Sequence, residues 1–213
     1  MRGIKLIIFD LDGTLVDAYT AIMRSFNYTM RRLGYPLQSA LVIRQAVGWG
    51  DENLLKPFIK IKDLKRALSV YRNHHKTALL KGARLFPGVV KLLIGLKNKG
   101  YYLAIASNRP TRFSGILVRH LSLTGYFGHV LCADKLRHIK PHPEILEKIM
   151  RRFKVEPRET LYIGDMTIDA QAGKRAGVKT IIVSTGSSTK LQIRKEKPYR
   201  ILKRIGELVS LFA

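Results

Sequence analysis

Acidic side chains are scarce in this chain: 15 Asp and Glu stand against 39 Lys and Arg, for a net charge of +24. That imbalance speaks against the ion-pair networks of hyperthermophilic proteins, which need carboxylates to match their cations. It points instead to anionic partners or to a solvated basic surface, and composition leaves both open. Cysteine occurs once, as Cys132, so no internal disulfide forms within the chain. Its place after Val130 and Leu131 reads as a buried thiol. Long apolar runs are missing: none nears the ~20 residues that span a bilayer. The stretch Ile4 to Leu11 ends in acidic residues and lacks a small-residue cleavage site after it. The expectation is a cytoplasmic protein with no membrane partner, and oligomeric state is not legible.

What the chain does have is an ordinary globular composition, 46% hydrophobic and 25% charged over 213 residues. That is enough for one main core and a smaller lobe. The isoleucine-rich run Ile4 to Phe9, bounded by Asp10 and Gly13, reads as a buried strand. Similar runs recur at Tyr102 to Ala106, Val130 to Ala133, Leu161 to Ile163 and Thr180 to Val183. Helical periods lie between them, at Val89 to Lys99, Arg112 to Leu121, Pro143 to Phe153 and Ile168 to Ala176. This alternation predicts an α/β fold, a doubly wound Rossmann-like parallel sheet. It breaks once, from Asp17 to Phe86, where no strand pattern stands out. Helical periods there cover Ala18 to Leu33, Leu41 to Val47, Asp51 to Ile59 and Asp63 to Leu80. The expected organisation is a core of residues 1–16 and 85–213 with an inserted helical cap at 17–84. Beyond Gly186 the tail is polar and basic, then regains a helical pattern from Ile201 to Phe212 that should dock on the core.

In a doubly wound sheet, ligands bind beyond the carboxyl ends of the strands, so the polar residues after each apolar run carry the functional reading. Asp10 and Asp12 follow the first strand two apart, and both carboxylates can project to one side while Leu11 turns away. Like charges so close oppose joint ionisation, a division that suits one nucleophile and one general acid; an acidic turn is the plainer alternative. Thr14 offers a hydroxyl for a phosphate oxygen or for the local turn. Ser107 and Asn108 supply a hydroxyl and a backbone N–H just before a helix start, where an anion or a simple cap fits. Lys140, ahead of Pro141, His142 and Pro143, is a held ammonium able to neutralise a phosphoryl group, or one surface cation among many. Asp165 and Asp169, four apart where a strand turns into a helix, are hard oxygen ligands suited to Mg²⁺, or else acids complementing the helix dipole. Asp165 reads as the direct ligand, with Asp169 acting from behind it.

These four pieces, in this order, resemble the motifs of the haloacid dehalogenase superfamily of phosphohydrolases, within it the phosphoglycolate phosphatase-like branch. DLDGTLVD at Asp10–Asp17 is similar to the first motif, SN at Ser107 to the second, KPHPE from Lys140 to the third and GDMTID from Gly164 to the fourth. The AGKRAG stretch from Ala172 to Gly177 extends the likeness. The resemblance implies a Mg²⁺-dependent phosphatase in which Asp10 becomes phosphorylated and Asp12 protonates the leaving oxygen and later activates water. It further implies that Lys140 offsets charge, and that Thr14, Ser107, Asn108 and Lys140 hold the phosphate. Mg²⁺ would sit on Asp10, the backbone carbonyl of Asp12 and Asp165, with Asp169 nearby. An acid at Asp12 favours a phosphate ester over the substrates of dehalogenases and phosphonate hydrolases. Ala18 stands where the pattern commonly has serine, which puts a cap-hinge hydrogen bond in question.

Other residues are less committed. Trp49, between Gly48 and Gly50, is similar in position to a substrate-facing cap loop, with a core role as the alternative. Of His74 and His75 one reads as solvated, neither has zinc spacing, and His142 reads as a surface residue. A phosphosugar mutase would share all four motifs and differ in its cap. A nucleic-acid-binding protein would use the charge alone, yet retained catalytic side chains argue against a bare scaffold. Residues 18–84 hold 13 Lys and Arg against 3 Asp and Glu, so the cap carries much of the charge. The expected partner is a small anionic phosphorylated metabolite; nucleic acid is possible but not favoured, since no aromatics are interleaved with the cations.

Overall fold

The computed structural model describes residues 3–212. Strand β1 (Leu6–Phe9) is buried along its whole length and forms the middle of the molecule. The strands β2 (Val16–Asp17) and β3 (Arg84–Leu85) bracket the helices α1 (Tyr19–Leu33), α2 (Ala40–Ala46), α3 (Asp51–Leu55) and α4 (Leu64–Gly82). Alternation then resumes with α5 (Val89–Asn98), β4 (Tyr102–Ser107), α6 (Thr111–His120), β5 (His129–Cys132), α7 (Glu144–Phe153), β6 (Thr160–Gly164), α8 (Thr167–Arg175) and β7 (Lys179–Val183). The chain closes with α9 (Lys190–Lys195), β8 (Arg200–Leu202) and α10 (Leu208–Leu211).

The main sheet has six strands in the order β5-β4-β1-β6-β7-β8, and every pair in it is parallel. From β1 the chain builds outward through β4 and β5 on one side, then returns to build β6, β7 and β8 on the other. That reversal opens the crevice at the carboxyl ends of the central strands. Phe9 is level with Ile105 of β4 and Ile163 of β6, so the next residues of all three strands emerge side by side.

Both faces of the sheet are covered, which is why its strands read as continuous apolar runs. Ile7 and Phe9 pack on one face with Leu96, Phe113 and Leu117, while Leu6 and Ile8 pack on the other with Ile145, Leu146 and Ile149. Period-2 alternation divides the two cores. Burying each such side chain contributes about 1.5–3 kcal/mol, and truncating Ile7 to alanine would cost about 2–5 kcal/mol.

The helices between β2 and β3 form a layer beside the crevice, with α1 and α4 packed along each other. α1 begins at Ala18 without a side-chain cap, and Asp17 Oδ1 accepts the Tyr19 N–H at 3.2 Å. It ends at Gly34 in the left-handed conformation (φ 73°), whose N–H reaches the carbonyls of Met30 and Arg31. Ser39 caps α2 by accepting the Val42 N–H at 3.3 Å.

The structure corrects three sequence expectations. Arg84–Leu85 pairs antiparallel with Val16–Asp17, a ribbon too short to leave a pattern in a segment read as strandless. The helical period Asp51 to Ile59 stops at Leu55, and Pro57 lies in a 3₁₀ turn over Lys56–Phe58. The tail read as one helix from Ile201 is instead the edge strand β8, a 3₁₀ turn at Ile205–Glu207 and the short α10. Its docking on the core does hold: Ile205, Leu208 and Phe212 are buried in the main cluster. Cys132 is a buried free thiol as expected.

Candidate active site

The strand ends gather the predicted acids and the predicted lysine into one buried cluster. Asp10 leaves β1, Asp165 follows β6, and Asp169 lies in the first turn of α8. Lys140 comes from the loop before α7 and is only 2% exposed. Its Nζ lies 2.7 Å from Asp10 Oδ1, 2.8 Å from Asp169 Oδ1, 3.0 Å from the Tyr162 hydroxyl and 3.2 Å from the Ala106 carbonyl. Burial alone would favour a neutral amine, but the two carboxylates outweigh it and hold the Lys140 pKa well above its ordinary value.

The carboxylates answer in the opposite direction. Burial is the largest influence on Asp10 and lifts its pKa to about 6 against the pull of Lys140. Burial, then the charges of Asp10 and Asp169, push Asp165 well above the usual carboxylate range. Three acids around one ammonium leave two negative charges uncompensated when all are ionised, a balance that suits a divalent cation. Ligand atoms of Asp10, Asp165 and Asp169 all lie within 4.8 Å of one another.

Asp165 carries the strongest sign of such a cation. Its Oδ1 accepts the Thr14 hydroxyl at 2.8 Å, while its buried Oδ2 has no hydrogen-bond partner among the described residues. An orphaned carboxylate oxygen is costly unless something cationic takes it. Glycine keeps this oxygen clear: a Cβ on Gly13 (φ +82°) or on Gly186 would run into Asp165. Asp169 differs. Its Oδ1 also accepts the Tyr162 hydroxyl at 2.6 Å, and its Oδ2 accepts the backbone N–H groups of Asp165 at 3.1 Å and Met166 at 3.0 Å. Those bonds hold the turn at Asp165–Met166 and position Lys140. The residues present therefore fit Mg²⁺ at Asp10 and Asp165.

The remaining predicted residues divide. Asp10, Asp12, Ser107, Asn108, Lys140 and Asp169 line one cavity of about 60 Å³. Ser107 Oγ accepts the Arg109 N–H at 3.2 Å, and its own proton can still be donated. The Thr14 hydroxyl is committed to Asp165 rather than offered to the cavity. The Asn108 carboxamide is also committed, because it ties two loops together through their backbone groups. Its Nδ2 donates to the carbonyls of Gly48 at 3.0 Å and Lys140 at 3.1 Å, and its Oδ1 accepts the Lys140 N–H at 3.0 Å. Trp49 is 39% exposed and does not line the cavity, although Gly48 and Gly50 beside it do. His142 is exposed and stacks near His138.

Sequence reasoning missed Arg109, and of the histidine pair it left open which one is solvated: His74 is half-buried and His75 is buried. The Arg109 guanidinium clamps Asp12 with both oxygens, Nε to Oδ2 at 2.6 Å and Nη2 to Oδ1 at 2.8 Å. Its Nη1 lies 2.7 Å from His75 Nε2. His75 is 1% exposed, and burial followed by the neighbouring guanidinium depresses its pKa to about 2. The imidazole is neutral and accepts from Arg109. The rule that singled out Ser107 and Asn108, polar residues just past a strand, extends one step to Arg109.

The family described as "Haloacid dehalogenase-like hydrolase" matches residues 7–183. The chain is 31% identical to a phosphoglycolate phosphatase of Aquifex aeolicus (strain VF5), over 97% of this chain and 96% of that one. It is 33% identical to a probable phosphatase, IndB, of Dickeya dadantii (strain 3937), over 96% of this chain and 92% of that one. A crystal structure of a predicted phosphoglycolate phosphatase from Haemophilus somnus 129pt superposes with a TM-score of 0.94 at 26% identity, covering 100% of both chains. No helix among the described residues is long and apolar enough to cross a membrane. With its motifs at the ends of neighbouring parallel strands and its match running from β1 through β7, the chain belongs to the haloacid dehalogenase-like hydrolases, in their phosphoglycolate phosphatase-like branch.

Proposed function

We propose that this hydrolase is a Mg²⁺-dependent phosphatase that cleaves a small anionic phosphate monoester through a phosphorylated Asp10. The observation that carries the reading is the Asp10 carboxylate at the cavity floor, 2.7 Å from a buried Lys140 and grouped with an unpartnered Asp165 oxygen. An Asp10 oxygen attacks phosphorus, the bond from phosphorus to the ester oxygen breaks, and the departing electron pair takes a proton from the Asp12 carboxyl. Asp12, now a carboxylate, accepts a proton from water as that water attacks the phosphorylated Asp10 and the acyl phosphate bond breaks. Lys140 offsets the charge of Asp10 and of the transferring group, and Ser107 donates to a phosphoryl oxygen. Bound to Asp10, the Asp12 carbonyl and Asp165, Mg²⁺ supplies electrostatic stabilisation of the phosphoryl oxygens. Positioning and charge do most of the catalytic work in such transfers.

The helical segment 17–84 serves in this reading as a cap over the site, and its basic surplus raises the local concentration of anionic substrate. The small cavity favours a metabolite over a nucleic-acid end. Phosphate release should be measured with Mg²⁺ over a panel of 2-phosphoglycolate, pyrophosphate, sugar phosphates and a 5′-phosphorylated oligonucleotide. The reading expects a small ester to be the best substrate and chelation to stop turnover. Fastest release from the oligonucleotide, or release unaffected by chelation, would overturn it.

A further inference from the structure

The Tyr19 hydroxyl at the start of α1 is buried and has no hydrogen-bond partner among the described residues, a condition it shares with Asp165 Oδ2. Tyr19 is 6% exposed, and a buried hydroxyl left without a partner is costly. One chain of contacts links the two orphans. A Cβ on Gly13 or Gly186 would run into Asp165, and the Thr185 hydroxyl donates to the Gly13 carbonyl. Arg44 of α2 donates to the carbonyls of Thr185 and Gly186, and its Cζ lies 4.1 Å from the centroid of the Tyr19 ring. Burial and then the charge of Asp165 push the Tyr19 hydroxyl up from its ordinary pKa, with Arg44 opposing them, so the phenol stays neutral. Neither Tyr19 nor Asp165 lines the cavity, whereas Ile22 of the same helix does. What satisfies both orphans therefore belongs beside Asp165 rather than in the space for the ester.

We propose that Tyr19 is a positioning residue for Mg²⁺, its hydroxyl oxygen accepting a hydrogen bond from a water that the cation holds on Asp165. The proposal rests on the Mg²⁺ reading above and adds to that site a residue of the helical segment 17–84. Mg²⁺ usually keeps several waters and takes only one or two carboxylates from a protein. A divalent cation polarises those waters into strong donors, and a neutral phenol offers them lone pairs without a further charge. Partners behind the ligands of an ion set both its orientation and its affinity. Arg44 serves the arrangement by covering the Tyr19 ring while it holds the turn at Thr185 and Gly186, so the phenol and the Asp165 carboxylate keep their spacing. Cap and cation are then coupled. The helical segment seated on the sheet strengthens Mg²⁺ binding, and Mg²⁺ favours that seating by the same factor.

Tyr19→Phe removes the hydroxyl and keeps the ring under Arg44. Isothermal titration with Mg²⁺ in the absence of any ester should give a Kd about tenfold weaker than that of the wild type. Thermal melts supply a second readout. Without Mg²⁺ the variant should melt at the wild-type temperature or above it, because an unpaired hydroxyl has left the interior, while the rise in midpoint on adding Mg²⁺ should be smaller. Equal Mg²⁺ affinity in the two proteins overturns the proposal. So does a lower midpoint without Mg²⁺, which gives the hydroxyl a structural partner instead. A loss of kcat/KM at unchanged Mg²⁺ affinity also overturns it, by placing the hydroxyl on the ester. Asp165→Ala, titrated alongside, separates the two levels of the reading. If it weakens Mg²⁺ binding and Tyr19→Phe does not, the role of Tyr19 alone is removed. A wild type that binds no Mg²⁺ removes the Mg²⁺ reading and this proposal with it.

Discussion

The floor of the cavity and its roof are made of different material. The floor is built on the sheet: Asp10 and Asp165 directly follow β1 and β6, Asp169 lies in the first turn of α8 and Lys140 in the loop before α7, all four buried, with Lys140 paired to Asp10 and Asp169. The roof is the helical segment, which brings Val47, Leu54, Tyr71 and a neutral His75. Polar ties between the two are local. Asn108 holds the Gly48 carbonyl, Arg109 meets His75, and Arg44 of α2 donates to the carbonyls of Thr185 at 2.7 Å and Gly186 at 3.2 Å. Chemistry is thus fixed by strand register, where displacement is costly, while shape and access come from a layer attached at a few points. A change to the floor should abolish reaction, whereas a change to the roof should tune it.

The largest effect should follow from breaking the floor at Asp165. Asp165→Ala removes the orphaned oxygen and the partner of Thr14, and should lower Mg²⁺-dependent turnover by roughly 1,000-fold. The same site makes cation binding pH-dependent, because a proton on Asp10 competes with the metal. Burial raises both Asp10, to about 6, and Asp165, so the apparent Mg²⁺ affinity should weaken as pH falls through about 6, by about tenfold per unit for each proton that competes. Isothermal titration of the wild type and Asp165→Ala across that range decides the matter. Equal Mg²⁺ titrations for the two proteins would place the cation elsewhere.

The roof offers a smaller effect, read in stability. His75 has a folded pKa of about 2 against a reference of 6.5, so the unfolded chain binds the proton first. Keeping this imidazole neutral contributes stability that is whole above about pH 6.5 and is lost as pH falls, by up to about 1.4 kcal/mol per unit. His75→Gln leaves an acceptor for Arg109 and does not titrate, so denaturant midpoints should fall less steeply between about pH 6.5 and 4.5 than in the wild type. An unchanged slope would mean that His75 is solvated after all.

What the sequence disclosed follows the same division. The floor was legible because buried parallel strands leave apolar runs and the reactive groups sit directly after them, as Asp10 after Phe9 and Asp165 after Gly164. The roof and the ties were not. Arg109 meets Asp12 across 97 residues, a contact made by the pairing of β1 with β4, and His75 across 34, a contact that exists only once the helical layer lies over the sheet. The use of the Thr14 hydroxyl was misread for a related reason: it suits phosphate, and only the fold shows that Asp165 already takes it. Strand β8 escaped because its three residues lie at a half-exposed edge in a basic tail, and β2 and β3 because two residues make no period.

The account turns on Asp10 as the residue that carries the phosphoryl group. Acid quenching of the wild type during turnover of its best ester with Mg²⁺, followed by peptide mass spectrometry, tests this most directly. The predicted result is one phosphoryl group on the peptide containing Asp10, with Asp10→Asn folded, unlabelled and without turnover. Turnover in Asp10→Asn with deamidation excluded, or a phosphoryl group trapped on a different residue, would contradict it.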